Sequence, residues 1–258
     1  MDITFAQYID RPGLIKGSAT NSMINLVKQD YRRRFDAVFI RESSVIVYNL
    51  YKDKNKYYIY IKMPSEQTVH LYYDVVLEFT PNKAQLLVDS DLDKMNVKFF
   101  SNDPAFLFTY AYAFNKAGLI IDWLKPKLSN KALTEKPIIR NPKADTGYVK
   151  SLYFAYYFIM IRKLFSRDNV SWQSAKELNK SSVANQIPDF DTKLDDVRRI
   201  KKIEQDKKRM EREAKKIAAN PTMGEHVKRT KVPAKVQNVK KTKITQTVAR
   251  TKRVLKSK

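Results

Sequence analysis

A chain of 258 residues fits one medium domain with appendages, or at most two small ones, and 43% apolar residues suffice for a core. With no cysteine, disulfides, thiolate nucleophiles and cysteine-ligated zinc or iron–sulfur sites are excluded. The 50 lysines and arginines against 27 acids, a net charge of +23, imply a polyanionic partner, either nucleic acid or an anionic membrane.

The opening MDITFAQYIDRPG lacks a basic region followed by an apolar run, so secretion by a signal peptide is not expected. The expected location is the cytoplasm or a virion. After the turn signal at Asp10 to Gly13, NSMINLVKQDYRRRF predicts a short helix capped by Thr20 or Asn21, with Met23, Leu26 and Val27 facing inward. From Ala37 the period changes to two. DAVFI, SVIVYNLY, KYYIYIKM, VHLYYDVVLEF, AQLLVD and KMNVKFF are β-branched and aromatic runs separated by polar turns, the pattern of an antiparallel meander of five or six strands.

Within the strands one face is apolar and the other mixed. Ile59, Ile61 and Met63 alternate with Tyr58, Tyr60 and Lys62, and Leu71 to Phe79 alternates with His70, Tyr72, Asp74, Val76 and Glu78. That alternation predicts a sheet covered on one side. Two apolar helices follow. The first spans 106–124, with Ser101 or Asp103 as N-cap, Pro104 in the first turn and Pro126 at its end; the second runs from about residue 146 to 165. Ser171 is the expected cap of a third, polar helix. A meander followed by helices is α+β.

The stretch SLYFAYYFIMIRKLF, 151–165, is apolar or aromatic almost throughout until Arg162. It falls short of the roughly 20 residues that cross a bilayer, so no membrane span is expected. A helix with no polar face belongs in a core, with Tyr153 and Tyr157 as the one edge a partner subunit could reach.

From 188 the composition shifts. DFDTKLDDVRRIKKIEQDKKRMEREAKKIAA gathers acids at its start and bases at its end, which complements a helix dipole. Asp195 with Arg199, Glu204 with Lys208 and Glu211 with Lys215 are acid-first i,i+4 pairs. Ile203, Met210 and Ile217 form a stripe too thin for a core, so a solvated, projecting helix is expected, ended by Asn220 and Pro221. The domain reading is a globular α+β body at 1–187, a charged helix at 188–218 and a disordered basic arm at 219–258.

Residues 1–190 hold 27 bases and 19 acids, and residues 191–258 hold 23 bases and 8 acids. The surplus therefore belongs to an appendage. In the arm, Glu225 is the lone acid against Lys228, Arg229, Lys231, Lys235, Lys240, Lys241, Lys243, Arg250, Lys252, Arg253, Lys256 and Lys258, and no aromatic ring occurs. Those twelve cations are the candidate nucleic-acid-binding residues, acting by counterion release with little sequence preference. A membrane-surface role is weaker for want of an aromatic anchor.

Catalytic signals are sparse. The two histidines, His70 and His226, lie in unlike segments. Asp89, Asp91 and Asp93 have calcium-loop spacing, but Lys94 replaces the required glycine and Phe100 the bidentate carboxylate, so a polar turn is expected. No phosphate-cradling glycine loop or nucleophile elbow occurs. No catalytic residue, metal site or cofactor is assigned. The alternative in a different class is a metal-dependent nuclease built on Asp74, Glu78 and Lys62. Tyr58 and Tyr60 beside Lys62 would be a stacking platform for single strands if their face were open, though burial is the commoner fate of such rings.

The text FFSNDPAFLFTYAYAFNKAGLIIDWLKPKL, followed by KPIIRNPKADTGYVKSLYFAYYF, resembles virion-associated structural proteins of tailed bacteriophages of low-GC bacteria. The resemblance lies within 99–165 and rests on texture rather than on a chemical motif, so it carries no residue roles. It implies a non-enzymatic structural or assembly component, with protein subunits as partners, copies of itself among them. The basic arm would face packaged nucleic acid or thread into neighbouring subunits and fold there.

Overall fold

The computed structural model describes residues 2–10, 21–42, 46–68, 71–81 and 91–219, with backbone alone at 217–219. Contacts group the chain into two units, 1–203 and 204–258, the boundary falling inside the last helix.

In the first unit, α1 (Phe5–Asp10) buries Phe5, Tyr8 and Ile9. Helix α2 (Asn21–Glu42) is far longer than expected and absorbs DAVFI, which is not a strand. The reason lies in spacing: Ile24, Phe35, Val38 and Glu42 recur on one helical face, and all four are buried. Met23 and Leu26, expected inside, are exposed instead.

Strands β1 (Val47–Asp53), β2 (Lys56–Pro64), β3 (Tyr72–Thr80) and β4 (Asn96–Ser101) make an antiparallel meander. AQLLVD lies outside the described residues. The expected first apolar helix is broken into three pieces. Asp103 caps its start by accepting the Ala105 amide at 2.9 Å, a π-turn covers Phe106–Tyr110, and α3 is only Ala111–Lys116. Gly118 at φ 71° then turns the chain so that Ile120 pairs with Phe99 on the edge of β4, and a 3₁₀ segment follows at Asp122–Lys127. A short α4 (Asn130–Thr134) leads to α5 (Lys150–Ile161).

Ser171 caps no long helix. Asn169 accepts the Ser171 amide at the head of a 3₁₀ turn, Val170–Trp172; β5 (Lys176–Glu177) joins β1 in parallel; and Asn179 caps α6 (Lys180–Gln186) by accepting the Ser182 amide. The sheet order is thus β4-β3-β2-β1-β5, and the architecture is mixed α+β with several helices. The long helix α7 (Phe190–Ala219) closes the described chain.

Both faces of the sheet are covered, contrary to the expectation of one. On the apolar face Phe5 lies against Phe79 and Phe99, and Tyr48 meets Phe158 of α5. On the mixed face Trp123 meets Tyr58, Lys98 pairs with Asp122 at 2.6 Å, and Lys180 of α6 reaches Asp53. Helix α5 is core, as its composition required: Leu152, Tyr153, Phe154, Ala155, Phe158 and Ile159 are at most 1% exposed. Its tyrosine edge is closed as well, because Tyr153 donates to the Ile9 carbonyl at 3.1 Å and Tyr157 to the Lys28 carbonyl at 2.8 Å. Among the described residues no helix is long and apolar enough to cross a membrane.

Candidate nucleic-acid interface

All twelve cations expected to bind nucleic acid, Lys228 to Lys258, lie outside the described residues, and so does His226. What the structure does place is the helix that leads toward them and the sheet residues on which a competing chemistry would depend.

The nuclease alternative needs carboxylates free to hold a metal. Asp74 is 4% exposed and already occupied: it accepts the Tyr60 hydroxyl at 2.6 Å and the Asn102 side-chain amide at 2.6 Å. Asn102 returns the clasp, taking the Asp74 backbone amide on its side-chain oxygen at 2.8 Å. Across the register Lys62 faces Asp74, and Lys193 of α7 lies close enough to feel both charges. Burial lowers the Lys193 ammonium below its ordinary range, with Asp74 opposing. Its Nζ donates to the Tyr72 carbonyl and sits over the Tyr73 ring.

Glu78 is engaged separately, by Lys56 at 2.9 Å. Asp74 and Glu78 are thus spent on separate partners, and no group of three or more acids and histidines is arranged to hold a metal among the described residues. The stacking platform is closed too. Tyr58 and Tyr60 are each 1% exposed, and burial raises both phenols, helped at Tyr60 by the Asp74 charge. Of the aspartate cluster, Asp89 lies outside the described residues, while Asp91 accepts the Arg167 amide at 3.1 Å next to the 3₁₀ turn Leu92–Lys94. The rest of the expected polar turn lies outside the described residues.

Two other polar groups stand out in the body. Arg34 grips Glu66 through two hydrogen bonds, of 2.7 and 2.5 Å, while Lys150 reaches the same carboxylate at 3.1 Å. The Arg34 contact, with Lys150 adding to it, holds the Glu66 carboxyl below its ordinary range. Asp103, 5% exposed, leaves its Oδ2 without a hydrogen bond, and burial raises its carboxyl against the pull of the Ala105 amide and Lys150. The Glu66 cluster joins residues 32 and 84 positions apart in sequence, so no local pattern announces it, whereas the Asp103 cap is the expected one and only its depth of burial is new.

Along α7 the ion pairs differ from those expected. Asp195 pairs with Arg198 and Asp196 with Arg199, both at i,i+3, in the first unit. In the second, Arg209 takes Asp206 at 3.5 Å and Glu213 at 4.0 Å. Neither Glu204–Lys208 nor Glu211–Lys215 is among the ion pairs of the described residues. Lys208, Arg212, Lys215 and Lys216 are exposed and unpaired there. The helical period puts these four on one face, within about 100° of arc.

Compared with family models, with curated proteins and with solved structures, the chain matches none.

Proposed function

We propose that this chain is a non-enzymatic structural or assembly protein whose C-terminal arm, residues 219–258, binds nucleic acid without sequence preference. The observation that carries the reading is charge placement: twelve bases and one acid in the arm, with no aromatic ring to anchor it in a lipid interface. The body supports it from the other side. The carboxylates a nuclease would draw on, Asp74 and Glu78, are committed to Tyr60, Asn102 and Lys56. The tyrosines that could have stacked on bases are buried. On the resemblance within 99–165, the setting is a tailed-phage virion, with the body meeting other protein subunits and the arm meeting packaged nucleic acid.

The test is a mobility shift on DNA and RNA of arbitrary sequence at low salt. The full chain should retard both, and a chain ending at residue 219 should lose most of that retardation. Equal retardation by the shortened chain would remove the arm from the reading. An arm that instead folds into neighbouring subunits would leave the nucleic acids unshifted and change the oligomeric state on truncation.

A further inference from the structure

The second unit carries a structured cation ridge that the arm reading does not require. Lys208, Arg212, Lys215 and Lys216 stand on one face of α7, all exposed. Asp206 and Glu213, two of the four acids of this stretch, are drawn to Arg209 at the edge of that face. Glu211 flanks the ridge without pairing to it, and Met210, 60% exposed, lies on the opposite side of the helix.

We infer that this ridge is a docking surface for the backbone of double-stranded nucleic acid, and that it gives the protein a preference for duplex over single strand. The inference rests on the nucleic-acid reading above and adds to it a named site and a substrate class. A helix holds its charges at fixed spacing. Lys208 to Arg212 rises about 6 Å, and Lys208 to Lys215 about 10.5 Å. A rigid ridge suits a rigid partner, and duplex DNA presents one charge per roughly 1.7 Å of axis on a backbone that does not need to be ordered first. The helix, about 10–12 Å across, also matches the major groove, about 12 Å wide.

Single strands are held differently, by bases stacked on aromatic rings along a basic groove. After Phe190 neither α7 nor the arm contains any Phe, Tyr or Trp, so this part of the chain has nothing on which bases could stack. Ridge and arm are consecutive in sequence. Once the helix is seated, the arm engages the same duplex at high effective concentration.

The test uses the full chain, with fluorescence anisotropy on a labelled duplex and on one of its strands across a salt series. The quadruple substitution K208Q, R212Q, K215Q and K216Q keeps good helix formers in place, and circular dichroism checks that helix content is unchanged. The expected result is a marked duplex preference in the unaltered chain and loss of that preference in the ridge variant. The variant's duplex salt slope should be shallower by about 3–4, a difference of roughly a hundredfold in affinity loss between 50 and 200 mM salt. A parallel arm variant, K240Q, K241Q, K252Q and R253Q, should weaken both probes alike.

If the arm variant weakens binding but the ridge variant behaves as the unaltered chain on both probes, the ridge inference is overturned and the arm reading stands. If the unaltered chain binds neither probe, the nucleic-acid reading itself falls. Capture by phosphatidylserine vesicles in place of duplex, lost in the ridge variant, would reassign the face to a membrane surface and overturn the inference.

Discussion

Asp74 is the residue at which a catalytic and a structural interpretation of the sheet part most sharply. Replacing it with alanine removes the acceptor for the Tyr60 hydroxyl and for the Asn102 amide, both at 2.6 Å, at a position 4% exposed. Each buried donor left unpaired costs about 1–3 kcal/mol. The buried Lys193 ammonium also loses one of the two carboxylates that favour its charge, Asp196 remaining. Taken together, Asp74→Ala should cost about 3–5 kcal/mol, a large share of the 5–15 kcal/mol that holds a typical domain.

Urea unfolding followed by tryptophan fluorescence reads this directly, since Trp172 is buried and Trp123 lies against Tyr58 on the face concerned. With a denaturant slope near 2 kcal/mol/M, the midpoint should fall by about 1.5–2.5 M. Tyr60→Phe in a double-mutant cycle should show coupling of about 1 kcal/mol or more with Asp74→Ala. A midpoint shift under about 0.5 M, with a magnesium-dependent cleavage abolished by the same substitution, would refute the structural role and restore the nuclease.

Two further outcomes follow from the geometry. Gly147 sits at φ 50°, and a Cβ there would overlap the Tyr110 ring, so Gly147→Ala should lower stability by about 2–4 kcal/mol in the same urea assay. Asp103 has its native carboxyl raised above the ordinary 3.8 by burial, so folding retains its proton to higher pH than the unfolded chain does. The stability it contributes is fully present below 3.8 and is lost as pH rises through the native value. Asp103→Asn, which keeps an acceptor for the Ala105 amide, should flatten that decline; a midpoint-against-pH series with unchanged slope would contradict the assignment.

The strands were legible because alternation is a local property: β2, β3 and β4 fall within the runs that period two marks out. The end of α2 was not. DAVFI reads as a strand in isolation, and only the continuation of the Ile24, Phe35 and Val38 face makes it helical. Gly118 held a legible clue to the broken apolar helix, but the partner that captures Ile120, the edge of β4, could not be seen from the text. The closure of the mixed sheet face was hidden for the same reason, since Trp123, Asp122 and Lys180 come from segments far downstream of the strands they cover. For the proposed interface, the arm's charge is plain from composition. The ridge on α7 needed the structure, because the sequence suggested Glu204–Lys208 and Glu211–Lys215 pairs that do not form, and those pairs would have hidden two of its four cations.

The most direct measurement is the salt dependence of duplex affinity for the full chain and for the chain ending at residue 219. The difference between the two slopes counts the phosphates the arm neutralises, at about 0.9 per contact. If half of the arm's twelve cations are engaged, the full chain should be steeper by about 5. Slopes that agree within about 1 would mean that the arm does not bind nucleic acid.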